Sequence, residues 1–292
     1  MHPLRYAYNT NGCAHHRLED ALRLIATAGY DGVALTLDWH HLNPMAPDWR
    51  AQTERTAALL HRHGLGCVIE TGARYLLNGN EKHEPTLISP TAEGRQLRVD
   101  FLKRSLTVAA MLGAETVSCW AGVRKAAVEP TAAWDYLVEG YREVGEFAVN
   151  VGVPLSVEPE PGMLLETNAD FDRLYRELDP NPDYFRLALD LGHVWVTGEG
   201  RPEDAVRAYA DRLGTISIEG MNAGVHLHLP LDQGDMPIPP LLRALRDIEF
   251  SGLVCVELSR ESPRAHLAIP ESLHHLRTYE AELTAPGSAL SR

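Results

Sequence analysis

Residue types that bind metal ions or carry protons recur in this chain at the ends of short apolar runs. Glu70 lies near the end of 65–71 (LGCVIET), Glu158 ends 153–158 (VPLSVE) and Asp190 ends 186–190 (RLALD). Glu219 ends 214–219 (GTISIE), and Glu257 is the charged residue of 252–258 (GLVCVEL). Imidazoles follow closely: His193 comes just after Asp190, and His226 and His228 lie in the loop beyond Glu219. Carboxylates crowded into one pocket repel each other unless a proton or a cation is shared among them. Carboxylate oxygens joined by one or two imidazoles are the donor set of Mn²⁺, Mg²⁺ or Zn²⁺.

Three short motifs carry most of this reading. In Asp190-Leu191-Gly192-His193 the strand delivers Asp190 to its end, Gly192 permits a tight turn, and His193 then faces the same cavity. The competing reading makes Asp190 a helix cap and His193 unrelated. In Glu158-Pro159-Glu160-Pro161-Gly162 the prolines stop further strand pairing. Alternation puts Glu158 and Glu160 on one side, with Glu158 deeper and the better ligand and Glu160 nearer to solvent. His226 and His228 share a side if the chain is extended there, and the turn Pro230-Leu231-Asp232-Gln233-Gly234 would fold them over the site. Two histidines in an exposed loop that bind nothing are the alternative.

Other groups fall in the connecting loops. Arg74, Lys82 and His83 follow the third run, Arg124 the fourth and Arg260 the last, and these suit an anionic or hydroxylated ligand. Trp39, Trp120 and Trp195 fall at or beyond run ends, where they would wall a sugar pocket or simply pack. Cys13-Ala14-His15-His16 and His40-His41 are weaker signals, because 14 histidines make adjacent pairs cheap by chance.

The elements that must position these groups form a regular repeat. Strand patterns at 5–9, 32–38, 65–71, 115–121, 153–158, 186–190, 214–219 and 252–258 alternate with amphipathic helical patterns. The helices fall at about 18–28, 49–63, 91–112, 131–150, 169–178, 202–212, 238–248 and 266–282. Gly29, Gly64, Gly113, Gly152 and Gly252 punctuate the helix-to-strand joins, where a helix end favours a left-handed residue. Eight such units predict an α/β fold, a single-domain (β/α)8 TIM barrel over 1–284, with 285–292 as a flexible C-terminal tail. A doubly wound sheet is disfavoured, since Asn9-Thr10-Asn11-Gly12-Cys13 after the first strand is not a glycine-rich phosphate turn. In a barrel the chemistry sits at the C-terminal strand ends, where the carboxylates fall.

Composition narrows the partners. With 27 Lys and Arg against 40 Asp and Glu, the net charge is −13, which argues against a nucleic-acid backbone or an anionic membrane as the main partner. No apolar run is long enough to span a bilayer, and the N-terminus lacks the apolar core of a signal peptide. Cys13, Cys67, Cys119 and Cys255 are widely separated, so buried free thiols in a reducing cytoplasm are expected.

At these residues the sequence resembles the xylose isomerase-like TIM barrels, a superfamily of sugar phosphate isomerases and epimerases, inosose-handling enzymes, tagatose-type epimerases and endonuclease IV. The resemblance spans about 5–282. It is most specific in Ser156-Val157-Glu158-Pro159, Leu189-Asp190-Leu191-Gly192-His193, His228-Leu229-Pro230 with Gly234-Asp235, and Gly252–Leu258. It implies Glu158, Asp190 and Glu257 as ligands of one divalent metal, with His193 near it and His228 in the loop before the last strand. Ser217 stands where the family pattern has a metal-binding histidine, and Met236 where it has a second glycine. Glu219, two residues on and on the same face, is the first candidate to complete the metal sphere and His228 the second.

The resemblance implies a small-molecule enzyme: an isomerase or epimerase of a small sugar or polyol-type carbonyl compound. Glu158 and Glu257 would move the proton, with Mn²⁺ or Zn²⁺ the first expectation for the metal and Mg²⁺ open. Its substrate-binding residues would be His193, His226, Glu70, Arg74, Trp120 and Arg260. The same groups serve a lyase or hydrolase, and Ser217 keeps a non-catalytic metabolite-binding barrel in view. Endonuclease activity is disfavoured by charge and by Ser217, and barrels of this family suggest a homodimer.

Overall fold

A computed structural model describes residues 3–284; the tail expected over 285–292 lies outside the described residues. Eight strands close into a parallel barrel: β1 (Arg5–Asn9), β2 (Gly32–Thr36), β3 (Gly66–Glu70), β4 (Val117–Trp120), β5 (Leu155–Glu158), β6 (Phe185–Asp190), β7 (Leu213–Ile218) and β10 (Leu253–Val256). Around the ring they run β1-β10-β7-β6-β5-β4-β3-β2. A short antiparallel hairpin, β8 (Gly220–Asn222) and β9 (Val225–Leu229), stands on the end of β7. The helices are α1 (Leu18–Ala28), α2 (Trp49–His63), α3 (Ala92–Leu112), α4 (Pro130–Val151) and α5 (Asn168–Leu178). They continue with α6 (Leu191–Thr197), α7 (Pro202–Ala208), α8 (Ile238–Asp247) and α9 (Ala265–Thr284). The single-domain TIM barrel expected from the repeat is the observed fold.

The strands read as near-continuous apolar runs because both faces are buried. Their outward residues pack against the helices in one large core that includes Tyr8, Phe101, Tyr141 and Phe185. The inward face is filled by small and aliphatic residues: Ala7, Ala34, Val68, Leu253 and Cys255 form a separate cluster on the axis. All four cysteines are free and buried. No helix among the described residues is long and apolar enough to cross a membrane.

Gly29, Gly64, Gly113 and Gly152 cap α1 to α4 in the left-handed conformation, as their spacing predicts. Gly252 does not share that role. The left-handed residue after α8 is Glu249 (φ 53°), while a Cβ at Gly252 would lie 2.8 Å from the Phe250 ring. Two elements escape the sequence pattern. α6 is too short to show a helical period, and β8–β9 is a short hairpin whose alternation in β9 (VHLHL) falls outside the eight-unit repeat. The helix expected over 202–212 stops at Ala208 and continues as a 3-10 turn over Ala210–Arg212.

Candidate active site

Strand register decides which side chains meet. Asp190 is level with Ser217 and Ser217 with Cys255, so Asp190 and Ser217 share the inward face occupied lower down by the axial cluster. Glu70 is level with Ser118 and Ser118 with Ser156, whereas Glu158 is level with Trp120. Glu70 therefore sits one layer deeper than Glu158. The C-terminal strand ends open on a cavity of about 270 Å³ lined by Glu70, Glu158, Glu160, His193, His226, His228 and Glu257. Arg74, Lys82, His83, Trp120, Met163 and Arg260 complete its walls.

Both readings of the Asp190 motif hold together. Asp190 caps α6, its Oδ1 accepting from the His193 backbone N–H at 2.9 Å, and the first turn of that helix turns the His193 ring into the cavity. Gly192 is helical and makes no tight turn; its role is close approach, because a Cβ there would lie 2.1 Å from Glu219 Oε1. His193 Nδ1 lies 3.1 Å from the carbonyl of Pro159, which can only accept, so that nitrogen carries the proton. Nε2 then presents a lone pair, 3.5 Å from Asp190 Oδ2. The two acceptors face each other.

The hairpin completes the cluster. Gly220 opens it, and the backbone oxygens of Pro230 and Gln233 come within 2.2 and 2.3 Å of where a Cβ would be, so only glycine admits this fold-back. β9 thereby returns His228 to the rim beside the end of β7, Nδ1 lying 3.8 Å from Glu219 Oε2 and 3.2 Å from the Glu257 carbonyl oxygen. His226 Nε2 is 3.4 Å from His228 Nε2. Glu219 is fully buried against Asp190 and the Gly192 backbone, yet neither carboxylate oxygen meets hydrogen-bond geometry. Asp190 Oδ2 and His193 Nε2 are likewise buried without a partner.

These orphaned atoms fit a cation. Among the described residues, three groups offer donor atoms mutually within 4.8 Å: Glu158, Asp190 and His193; Asp190, Glu219 and His228; and His193, His226 and His228. Asp190 belongs to two of them. Glu257 stands apart from all three and accepts from Asn11 Nδ2 at 2.8 Å, on the cavity wall. Ser217, inward and buried, brings no imidazole from β7; His228 arrives from the hairpin instead.

Electrostatics tell the same story. Burial, then the Glu160 and Glu257 charges, pushes the Glu158 carboxyl well above the usual range. Burial and Glu257 do the same to Glu70, and burial and Asp190 to Glu219. Glu160 rises to about 8 through burial and Glu257; it lines the cavity half-buried, nearer to solvent than Glu158. Burial also pushes against an ionised Asp190, yet His193, His228 and the His193 N–H together hold it below its ordinary value. Burial pulls His193 and His226 down. For His228 burial acts the same way but is outweighed by Glu257 and Asp190, which raise it.

Trp120 forms a wall with His83 set edge-on to it at 5.1 Å. Arg74 donates from Nη2 to the Asn11 carbonyl at 2.8 Å, and Arg260 stands exposed at the lip. The weaker signals lie elsewhere. Trp39 is 71% exposed, Trp195 donates to Asp235, Arg124 donates to the Val128 carbonyl, and the rings of His40 and His41 pack tilted against each other outside the cavity. Sequence reasoning missed Asn11, which orients Glu257, and Arg98. The Arg98 guanidinium is buried and donates to the carbonyls of Thr71, His83 and Pro85, fixing the loop that carries Arg74 and Lys82. An arginine amid a helical pattern reads as surface; the fact that it follows a loop rich in site residues was the available signal.

A closed parallel barrel with carboxylates and imidazoles gathered on its C-terminal rim is the architecture of a TIM-barrel enzyme. The chain matches the family described as xylose isomerase-like TIM barrel over residues 22–279 and belongs to it. Its relatives in the family include enzymes of epimerase and dehydratase type. Over 261 residues it is 26% identical to fructoselysine 3-epimerase of Escherichia coli O157:H7, covering 84% of this chain and 88% of that one. Over 173 residues it is 25% identical to inosose dehydratase of Lacticaseibacillus casei, covering 53% of this chain and 57% of the relative. A solved structure of the IOLI protein with a binding zinc atom superposes with a TM-score of 0.75 at 16% identity, covering 97% of this chain and all of that one (100%).

Proposed function

We propose that this chain is a divalent-metal-dependent epimerase of a small polyhydroxylated carbonyl compound, working through an enediolate. The observation that carries the reading is the pair of facing acceptors, Asp190 Oδ2 and His193 Nε2, beside the equally unpartnered Glu219 carboxylate. A divalent cation is the group that turns this repulsion into binding. Glu158, Asp190 and His193 are its first donors, with His228 and Glu219 taking the place that Ser217 leaves open; Glu257, on the cavity wall outside these groups, is a further donor on this reading. When bound, the cation supplies Lewis acidity that eases loss of a proton next to a carbonyl. Carboxylates with an added imidazole suit Mn²⁺ or Zn²⁺, and the zinc atom in the IOLI protein supports that choice.

The chain's own residues do the rest. Glu158 on β5 and Glu257 beyond β10 lie on arcs of the ring separated by β6 and β7. Each lines the cavity, so a substrate between them meets one carboxylate on either face. One takes the proton from the carbon and the other returns it from the opposite side, which inverts that centre. Ser118 Oγ, 3.5 Å from Glu158, and Asn11, bonded to Glu257, orient the two groups. Trp120 and Met163 offer an apolar wall for the carbon skeleton, and His226, Glu70, Arg74 and Arg260 are placed to meet its hydroxyl groups.

The test is incubation with keto-sugars in D₂O with added Mn²⁺, followed by NMR. Deuterium at the carbon beside the carbonyl, together with a new epimer, is the expected result. Deuterium with loss of water instead would assign a dehydratase, the reading that the inosose dehydratase relative favours. No exchange in any keto-sugar would overturn both.

A further inference from the structure

We infer that the substrate carries an anionic group, a carboxylate or a phosphate, gripped at the cavity mouth by Lys82 and Arg260. This deepens the functional reading above and rests on it only for the identity of the reacting end. The chain is strongly acidic, and most of its cations are engaged in ion pairs. Lys82 and Arg260 line the cavity, yet neither has a hydrogen bond or ion-pair partner among the described residues.

The reason is local and the same in both places. Each cation has an acidic neighbour in sequence that is already taken. Glu81 is bound by Lys125, which also lies 3.2 Å from Glu84, so neither carboxylate is left for Lys82. Glu261 is held by Arg264 at 2.9 Å, so Arg260 is left free. The two loops come from opposite arcs of the ring, one after β3 and one after β10, with β1 and β2 between them. Two cations converging from separate loops on one cavity make an anion clamp, and charge-assisted hydrogen bonds are the strong ones.

The first of these loops is built to hold its shape. Ala73, Arg74 and His83 have φ of 43°, 40° and 69°, a left-handed conformation that side chains resist. Arg98 holds it there, donating to the carbonyls of His83 at 2.6 Å and Pro85 at 2.8 Å. The His83 backbone N–H closes the loop on the Arg74 carbonyl at 2.6 Å. Lys82 thus projects from a preorganised frame, which lowers the entropic cost of binding.

Isothermal titration of the purified protein at low ionic strength with D-glucitol, D-gluconate and D-glucitol 6-phosphate tests the clamp. At least one anion should bind about tenfold more tightly than glucitol. The preference should shrink to about twofold in a Lys82→Ala/Arg260→Ala variant and in high salt, with metal content and melting temperature unchanged. A preference confined to gluconate identifies a carboxylate ligand, and one confined to the phosphate identifies a phosphorylated one. Equal binding of all three, no binding of the anions, or a preference that survives in the double variant would overturn the inference. Absence of exchange in D₂O with the anion preference intact would instead remove the functional reading and leave the clamp standing.

Discussion

The two mouths of the barrel handle charge in opposite ways. At the N-terminal ends of the strands every buried or half-buried charge named here has its partner: Arg5 pairs with Glu115 at 2.8 Å, and Arg277 reaches Asp31 at 3.3 Å and Glu280 at 2.9 Å. Asp31 also accepts from the Tyr6 backbone N–H. At the C-terminal ends, Asp190, Glu219 and His193 are more deeply buried and leave atoms without partners. A buried unpaired carboxylate costs stability, so a fold keeps such groups only where they do something else. The base of the barrel is arranged for stability and the rim for chemistry.

The contrast can be broken most sharply at Asp190. Asparagine keeps the α6 cap, since it caps as well as aspartate, but removes the charge shared by two donor groups. Asp190→Asn should fold normally yet lose metal and about three orders of magnitude in turnover, measured by elemental analysis and epimer formation. Arg98→Met strikes the support of the rim loop. Three carbonyls, one buried and two part-buried, lose their donor and a buried charge is removed, so about 3 kcal/mol of stability should go, read from urea midpoints.

A pH test addresses the rim away from the metal ligands. Burial, with His40 beside it, lowers His41 from its ordinary 6.5 to about 4. The unfolded chain then binds more protons than the native one between those values, so stability is full above pH 6.5 and falls as pH drops towards 4. His41→Gln should flatten that slope, a difference of about 3 kcal/mol between pH 7 and pH 4. Glu219→Gln should stabilise the metal-free protein by about 1 kcal/mol while weakening metal binding, seen by thermal unfolding with and without chelator. The smallest effect belongs to the base. Arg5→Ala removes a half-exposed ion pair and should cost about 0.5 kcal/mol with no change in turnover.

The rim carboxylates were legible because strand periodicity alone places Glu70, Glu158 and Asp190 at strand ends, with Glu219 and Glu257 just beyond two others. Apolar runs and glycine caps likewise exposed the barrel. What stayed hidden depends on contacts made after folding. The return of His228 rests on a hairpin that only Gly220 permits, and sequence shows the glycine without showing the backbone oxygens that crowd it. Arg98 looked like a surface residue because its partners are backbone carbonyls, which no side-chain pattern reveals.

The central claim is that the rim cluster holds a divalent cation. Elemental analysis of protein purified without chelator, beside a Glu158→Ala/Glu257→Ala variant, tests it most directly. About one equivalent of Mn or Zn in the parent, lost in the variant, is the predicted result. No metal in either protein, even after soaking with Mn²⁺ and Zn²⁺, would contradict it and leave a barrel that binds its ligand without metal chemistry.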